Sequence, residues 1–96
     1  MRNVKWGWDP QKNLTNRSKH GLSFELAAHV FDDPLVISDD DPYVYEARWR
    51  SIGRIGDVTI LVVHTAPEPD DLGVERGRII SARKATRIER LAYENG

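Results

Sequence analysis

The side chains best suited to chemistry in this sequence are arginines. Arg48 and Arg50 are two residues apart, so on a β-strand they would share one face. Arg78 and Arg83 bound an apolar run, and Arg87, four residues after Arg83, would share a helix face with it. The guanidinium group is permanently charged, and its planar fork makes bidentate contacts to phosphate. The spacing therefore predicts a site for a phosphate-containing ligand.

His20 is the best candidate for proton transfer, because an imidazole can take up or release a proton near neutral pH. It follows Lys19, whose ammonium group could hold a phosphate, and precedes Gly21, which permits a sharp turn. Glu46 and Tyr93 are reserve candidates for the same chemistry. A histidine near a helix C-terminus also stabilises the helix, so a structural role for His20 stays equally open.

Other polar and aromatic residues have a simpler structural interpretation. His64 closes an apolar segment and His29 lies in a predicted helix, so both are predicted to be structural. The aromatic side chains predicted to build the core are Trp6, Trp8, Phe31 and Trp49. The run Asp39-Asp40-Asp41 predicts a solvated turn, because three consecutive residues of a strand cannot all face one ion. No metal ion or cofactor is therefore expected.

Length and composition predict one small domain over residues 1–96. Hydrophobic residues make up 40% of the chain, which suffices for one modest core. The chain has no cysteine, which excludes disulfides, thiolate zinc sites and cysteine nucleophiles. No segment approaches the roughly 18 apolar residues that span a membrane, and the N-terminus lacks the apolar region of a secretory signal. The sequence therefore predicts a cytoplasmic protein with no membrane partner.

Charge is distributed unevenly along a chain whose net charge is −1. Residues 1–38 carry five Lys or Arg and four Asp or Glu; residues 39–75 carry three and nine; residues 76–96 carry six and two. The corresponding net charges are +1, −6 and +4, which sum to −1. This asymmetry predicts an anionic partner for the C-terminal part and a basic partner for the acidic middle.

Two helices and a strand are predicted in the N-terminal third, where they must position Lys19 and His20. Alternating apolar residues predict a short strand over 4–8. Asp9-Pro10 begins a helix that runs to about Lys19, and Gly21 ends it. A second helix is predicted from Ser23 until Pro34 stops it. Its predicted apolar face consists of Phe24, Ala27, Ala28 and Phe31.

The remaining two thirds predict four strands and a final helix, which must position the arginines. The first of these strands is predicted to begin at 35–37, and the others cover 46–54, 58–64 and 78–82. A loop is predicted over 66–77 and the helix over 84–94. The segment 58–64 is almost wholly apolar and β-branched, so it is predicted to be the central strand. The helix is predicted to bury Ala85, Ile88, Leu91 and Ala92. The order β-α-α-β-β-β-β-α predicts an α+β fold, in which an antiparallel sheet of four to five strands packs against two N-terminal helices and one C-terminal helix.

Across nearly its whole length the sequence resembles the BrnT toxins. The residues that carry the resemblance are Trp8-Asp9-Pro10, Asn16, Lys19-His20-Gly21, Ser23-Phe24, Ala27-Ala28, Phe31, Glu46, Arg48, Ile52-Gly53, the run Arg-Ile-Ile-Ser-Ala-Arg-Lys-Ala-Thr-Arg over 78–87, Glu89 and Tyr93. Gly7, where such toxins commonly carry an acidic or polar residue, and a long loop over 66–77 depart from the pattern.

The resemblance implies a bacterial type II toxin–antitoxin module with a RelE-like ribonuclease fold. It also implies a small ribbon-helix-helix antitoxin similar to BrnA, and promoter DNA bound only through the antitoxin in the complex. The acidic stretch 66–75 and the Asp39-Asp40-Asp41 turn are predicted to meet a basic segment of that antitoxin.

Together, the residues and the resemblance predict a metal-independent endoribonuclease whose cleavage of RNA arrests growth. The predicted catalytic residues are Lys19, His20, Arg48 and Arg83. The predicted RNA-binding residues are Arg50, Arg78, Lys84 and Arg87, with Glu46 and Tyr93 in reserve for proton transfer.

A non-catalytic module is the alternative. It would use the basic C-terminal patch to bind nucleic acid or an acidic protein, without cleaving anything. A net charge of −1 disfavours a general DNA-binding domain, which is usually strongly basic. The sequence also lacks the glycine-rich nucleotide loops, the zinc-protease motif and the serine-hydrolase motif, so ATP use and those hydrolytic reactions are disfavoured.

Overall fold

The computed structural model describes residues 3–96, and its helices and strands form the α+β fold predicted from the sequence. The strands are β1 (Lys5–Gly7), β2 (Ile37–Asp40), β3 (Trp49–Ile55), β4 (Val58–His64), β5 (Glu68–Pro69) and β6 (Glu75–Lys84). The helices are α1 (Pro10–His20), α2 (Phe24–Ala27) and α3 (Arg87–Asn95), with a 3-10 helix over Ala28–Asp32. Within the described residues, every helix is too short or too polar to cross a membrane.

The sheet has the order β1-β6-β4-β3-β2, and β5 pairs with β6. All pairs are antiparallel except β1 with β6, which run parallel. The antiparallel sheet predicted from the sequence is confirmed for the other pairs, and at this edge the long chain between β1 and β6 allows the parallel arrangement. The two-residue strand β5 was also missed, because the Pro- and Asp-rich composition of 66–77 is that of a loop.

The core lies between the helices and one face of the sheet. The buried helix-side residues are Leu22, Phe24, Ala27 and Val30, and the buried sheet residues are Ile60, Val62, Ile79 and Ala82. Strand β4 is central and the most buried strand, as predicted. Complete burial of an aliphatic or aromatic side chain contributes roughly 1.5–3 kcal/mol, so this layer dominates the stability of the fold.

Helix α1 begins and ends as the sequence predicts. The Asp9 side chain accepts a hydrogen bond from the Gln11 N–H at 2.8 Å, and Gly21 ends the helix with a φ of 72°. Buried Asn16 then fastens α1 to the sheet: its Nδ2 donates to the Leu22 and Ala82 carbonyls at 3.0 and 2.9 Å, and its Oδ1 accepts from the Ala82 N–H at 3.1 Å. This side chain takes the place of a neighbouring strand beside β6.

Several predicted boundaries are wrong, and they change the arginine geometry. Strand β3 starts at Trp49, so Arg48 precedes it. Strand β6 continues through Lys84, and α3 begins only after Thr86, whose side chain caps it. Arg83 is therefore a strand residue, and it does not share a helix face with Arg87.

Helix α3 also faces the other way from the prediction. Ile88 is 80% exposed and Leu91 44% exposed, although both were predicted to be in the core. The buried side chain of this helix is Tyr93. Its hydroxyl donates to Asp33 Oδ2 at 2.5 Å and so fixes the orientation of α3.

Candidate active site

The pairing of residues between strands shows which side chains lie on each face of the sheet. Gly53 pairs with Ile60, which lies in the core, and a Cβ atom at Gly53 would approach Val30 Cγ1 to 3.0 Å. Both positions therefore face the helices. Alternation along β3 puts Arg50 on the opposite face. Arg83 lies on that opposite face too, because the residue after it on β6 pairs with Ile60.

A β-bulge in the ladder between β4 and β6 brings a third arginine to this surface. Ile79 lies in the core, so its neighbour Arg78 points to the opposite face. We call the surface that carries Arg50, Arg78 and Arg83 the arginine face. Arg83 lies five positions along the strand from Arg78, a span of about 16 Å, so the two arginines mark opposite ends of this face.

Glu46 lies between two guanidinium groups at the Arg78 end of the arginine face. Arg78 Nη2 donates to Glu46 Oε1, and Arg48 Nη2 lies 3.5 Å from Glu46 Oε2. The Arg48 guanidinium also lies 3.8 Å above the centre of the Tyr43 ring, a cation–π contact. The Nε of Arg48 is buried without a hydrogen bond in the described structure, and an unsatisfied buried donor of this kind lowers the stability of the fold. Two predicted cations and one reserve acid–base residue are thus in contact.

Arg50 is flanked by carboxylates that were predicted to be a solvated turn. That prediction is wrong: Asp39 and Asp40 lie on β2, where Asp39 pairs with Arg50 in register. Arg50 Nε lies 3.4 Å from Asp39 Oδ1 and 3.9 Å from Asp41 Oδ1. These are long, partly exposed contacts, and ion pairs of this kind contribute little stability. An RNA phosphate could therefore replace them at small cost.

Arg83 is held far more firmly. Its Nη1 and Nη2 donate to the two carboxylate oxygens of Glu89 at 2.8 and 3.0 Å. Glu89 also accepts from the Thr86 N–H at 2.8 Å, which completes a capping box at the start of α3. Arg83 is the main reason that the pKa of Glu89 falls to about 2, and the same hydrogen bonds raise the pKa of Arg83. In the free protein this guanidinium joins β6 to α3.

Lys19 and His20 lie in the last turn of α1, and both side chains are exposed. Neither side chain forms a hydrogen bond or an ion pair with any residue in the range 3–96, and neither contacts the arginines described above. The anchor of α1 on β6 is Asn16, one turn before His20.

In the described structure the side chains of the other predicted site residues form no hydrogen bond or ion pair with Arg48, Arg50, Arg78 or Arg83, although the Lys84 carbonyl accepts from Arg83 Nη1 at 3.3 Å. Lys84 pairs with Ile60 and therefore points to the helix side of the sheet, away from Arg83. Arg87 is exposed at the first position of α3. Tyr93 is bonded to Asp33, and this hydrogen bond, together with burial, raises the pKa of Tyr93. Burial alone would raise the pKa of Asp33, but hydrogen bonds from Tyr93 and from two backbone N–H groups outweigh it and lower that pKa.

Sequence reasoning missed the partners of the arginines. Tyr43 provides the aromatic ring beneath Arg48, and Asp39 provides the carboxylate opposite Arg50. Glu89 provides the carboxylate that binds Arg83. Only the last had a local signal, since Thr86 followed by Glu89 is the pattern of a capping box. The other two depend on how β2 and the segment before β3 pair, which no local pattern reveals.

A comparison with protein families matches most of the chain. The model of a family described as "Ribonuclease toxin, BrnT, of type II toxin-antitoxin system" matches residues 8–89 of the 96-residue chain. No curated protein matches the sequence. The matched range contains the whole arginine face, together with Lys19, His20 and Glu46.

Proposed function

Because the chain belongs to the family of BrnT ribonuclease toxins of type II toxin–antitoxin systems, we propose that it cleaves RNA internally, without a metal ion, at its arginine face. The observation that carries this proposal is the contact of Glu46 with both Arg48 and Arg78. A proton acceptor thus lies between two permanent positive charges. This is the pair of functions that attack by a ribose 2′-hydroxyl on the adjacent phosphate requires.

In the proposed reaction, Glu46 takes the proton of the 2′-hydroxyl as its oxygen attacks phosphorus. Arg48 and Arg78 stabilise the charge that grows on the non-bridging phosphate oxygens. The bond from phosphorus to the 5′-oxygen breaks, which leaves a 2′,3′-cyclic phosphate and a 5′-hydroxyl. The leaving oxygen takes its proton from water. Exposed Lys19 and His20 are proposed to bind RNA away from the cleaved bond, because Asn16, one turn before His20, is bonded to Ala82, four positions along β6 from Arg78.

The other cations are assigned to binding. Arg50, whose carboxylate contacts are long, is proposed to contact a neighbouring phosphate, and exposed Lys84 and Arg87 to add long-range attraction for RNA. Arg83 was predicted to be catalytic, but the geometry favours Arg48 and Arg78 for that role. Both terminal nitrogens of Arg83 already bind Glu89, so a phosphate would have to displace that carboxylate.

The reaction type is tested with antitoxin-free protein and an end-labelled RNA in excess EDTA. We expect cleavage in EDTA and products that end in a 2′,3′-cyclic phosphate. Activity that disappears in EDTA and returns with Mg²⁺ would refute the metal-free reaction. Intact RNA at high protein concentration, together with normal growth of cells that express the protein, would favour a non-catalytic binding module instead.

Variants test the assignment of residues. Glu46→Gln should lower kcat by at least about 10²-fold, the usual contribution of a general base. Arg48→Ala and Arg78→Ala should each lower kcat by about 10²–10³-fold, as expected when a group that stabilises the transition state is removed. Arg90→Ala is the matched control, because Arg90 is an exposed arginine of α3, away from Glu46. Full activity of Glu46→Gln would assign the proton acceptor elsewhere.

The family implies an antitoxin, and we propose that it is a ribbon-helix-helix protein like BrnA that blocks the arginine face. We further propose that promoter DNA is bound only by the complex and through the antitoxin, since the toxin chain is slightly acidic. The proposed location is the cytoplasm, where bacterial transcripts are made. A mobility-shift assay with promoter DNA should show binding by the complex and none by the toxin alone.

A further inference from the structure

A cavity of about 610 Å³ opens on the helix side of the sheet, opposite the arginine face. Its walls include Trp6, Phe31, Val36, Ser38, Trp49 and Pro67. The volume lies within the range of ordinary ligand-binding pockets. None of these side chains takes part in the cleavage proposed above, so the cavity needs a separate explanation.

The floor of the cavity is a chain of hydrogen bonds whose direction can be worked out. His64 Nδ1 lies 2.8 Å from the Thr65 carbonyl oxygen, which can only accept, so Nδ1 carries the proton. Burial lowers the pKa of His64, so the ring is neutral at neutral pH and Nε2 accepts from the Ser51 hydroxyl at 2.6 Å. Ser51 has then used its only proton, and Ser38 must donate to it at 2.7 Å. Ser38 therefore offers only lone pairs to whatever enters the cavity.

The charged side chain that lines the opening of the cavity is a carboxylate. Asp32 lines the cavity, and no Lys or Arg is among the lining side chains of the described residues. A second carboxylate, Asp40, pairs in register with Trp49 on the same side of the sheet. His29 contacts Asp32 at 2.9 Å, and this exposed pair leaves a second carboxylate oxygen available. Asp32 thus places a carboxylate in the lining of the cavity, and Asp40 lies next to the lining residue Trp49.

The aromatic side chains that line the cavity differ in how much of their ring face is free to contact a ligand. Trp6 and Phe31 stack on each other with ring centres 4.2 Å apart, and Trp6 also packs against Gly77. Their ring faces are therefore largely taken. Trp49 is 39% exposed and was predicted to be in the core, yet it stands at the cavity as an aromatic surface on which a ligand can stack.

We propose that this cavity binds an arginine side chain of the antitoxin. A guanidinium group is planar, positively charged and a donor at every nitrogen, and it stacks well on tryptophan. It therefore matches an acceptor-only floor, an acidic rim and an exposed indole. A nucleobase fits less well, because its ring nitrogens or carbonyl oxygens would face the lone pairs of Ser38 and its phosphates would meet Asp32 and Asp40. The proposal rests on membership of a toxin–antitoxin family, and not on the proposed cleavage reaction.

The first test uses small probes and does not involve RNA cleavage. Nα-acetyl-arginine methylamide is titrated into the toxin while the indole N–H signals of Trp6 and Trp49 are followed by NMR. The citrulline analogue is the matched probe, because it has the same shape but no charge and one carbonyl acceptor. We expect saturable shifts and binding at least tenfold tighter for arginine than for citrulline. Equal binding of the two probes, or binding of adenosine in preference to arginine, would overturn the proposal.

The second test locates the site and identifies the partner. Asp32→Asn keeps the shape of the rim but removes its charge, and Trp49→Ala removes the stacking surface. Both should weaken binding of the arginine probe and of the co-encoded antitoxin at least fivefold, while RNA cleavage by the antitoxin-free variants stays unchanged. Leu35→Ala is the control, because Leu35 is exposed but does not line the cavity. Unchanged antitoxin affinity in both variants would refute the assigned partner even if the arginine probe binds.

Discussion

Glu89→Gln tests the clamp that holds Arg83, and its effect can be worked out from the geometry. Glutamine keeps the shape and can still accept from the Thr86 N–H, so the capping box survives while the charge is removed. The pKa of Glu89 falls from 4.5 to about 2, a difference worth at most about 3.4 kcal/mol at neutral pH. Solvent screens part of this, because the side chain of Arg83 is 39% exposed. We therefore expect Glu89→Gln to lower the free energy of unfolding by about 1–1.5 kcal/mol at pH 7.

The loss should depend on pH in a defined direction. A carboxyl group whose pKa is lowered by folding stabilises the protein fully above its unfolded pKa of 4.5, and the stabilisation is lost as pH falls towards 2. Urea unfolding of both proteins should therefore show a gap at pH 7 that narrows steadily below pH 4.5. Glu94→Gln, at an exposed position of the same helix, is the control and should change stability by less than about 0.5 kcal/mol. Titration of the Glu89 carboxyl carbon by NMR gives the pKa directly.

A Glu89 pKa near 4.5, or an equal stability gap at pH 7 and pH 3, would refute this reasoning. The same variant has a consequence for function, since it frees the guanidinium of Arg83. We expect Glu89→Gln to bind RNA more tightly and the slope of log affinity against log salt to steepen by about one, for one additional phosphate contact.

Three further predictions concern the parts of the fold that support the two faces of the sheet. Asn16→Ala leaves three buried backbone groups without partners and should cost about 3–5 kcal/mol in urea unfolding, whereas Thr15→Ala on the exposed side of α1 should change little. In Gly77→Ala the new Cβ would lie 2.4 Å from Trp6 Cζ3, so the indole must move; we expect a loss of about 1–3 kcal/mol and an altered near-UV spectrum, and an unchanged spectrum would contradict the packing. Burial lowers the pKa of His64 below 6.5, so the folded state binds fewer protons than the unfolded state. The free energy of unfolding should therefore fall as pH drops below 6.5. An NMR titration of His64 that gives a pKa at or above 6.5 would disprove this.

Local signals in the sequence identified the elements whose ends are set by neighbouring residues. Asp9-Pro10 and Gly21 bound α1 as predicted, because a cap needs only the residues beside it. The apolar run at 58–64 was correctly predicted to be the central strand. Helix α3 was placed too early, because the cationic residues after Ala82 suit a strand end as well as a helix, and the capping box at Thr86 was not recognised.

Hydrophobic periodicity does not reveal which face of a helix is buried against the rest of the protein. Ile88 and Leu91 share a helix face, and the pattern predicts an amphipathic helix correctly. It does not reveal that this face points outwards, because Tyr93 docks on Asp33, sixty residues away in the sequence. In the same way, Trp49 has the composition of a core residue but lines an open cavity.

The sequence by itself determined the α+β class, the family and the presence of arginines suited to phosphate. Residue types and short spacings carry that information, because they reflect backbone preferences and the chemistry of single side chains. Tertiary structure alone decided which of these charges are available. Glu46 meets Arg78 across 32 positions of sequence, Arg50 meets Asp39 through strand register, and Lys84 turns to the face opposite Arg83. Coulombic and hydrogen-bonding interactions act over a few ångströms, so a charge is fixed by its spatial neighbours, which only the register and the packing of the elements define.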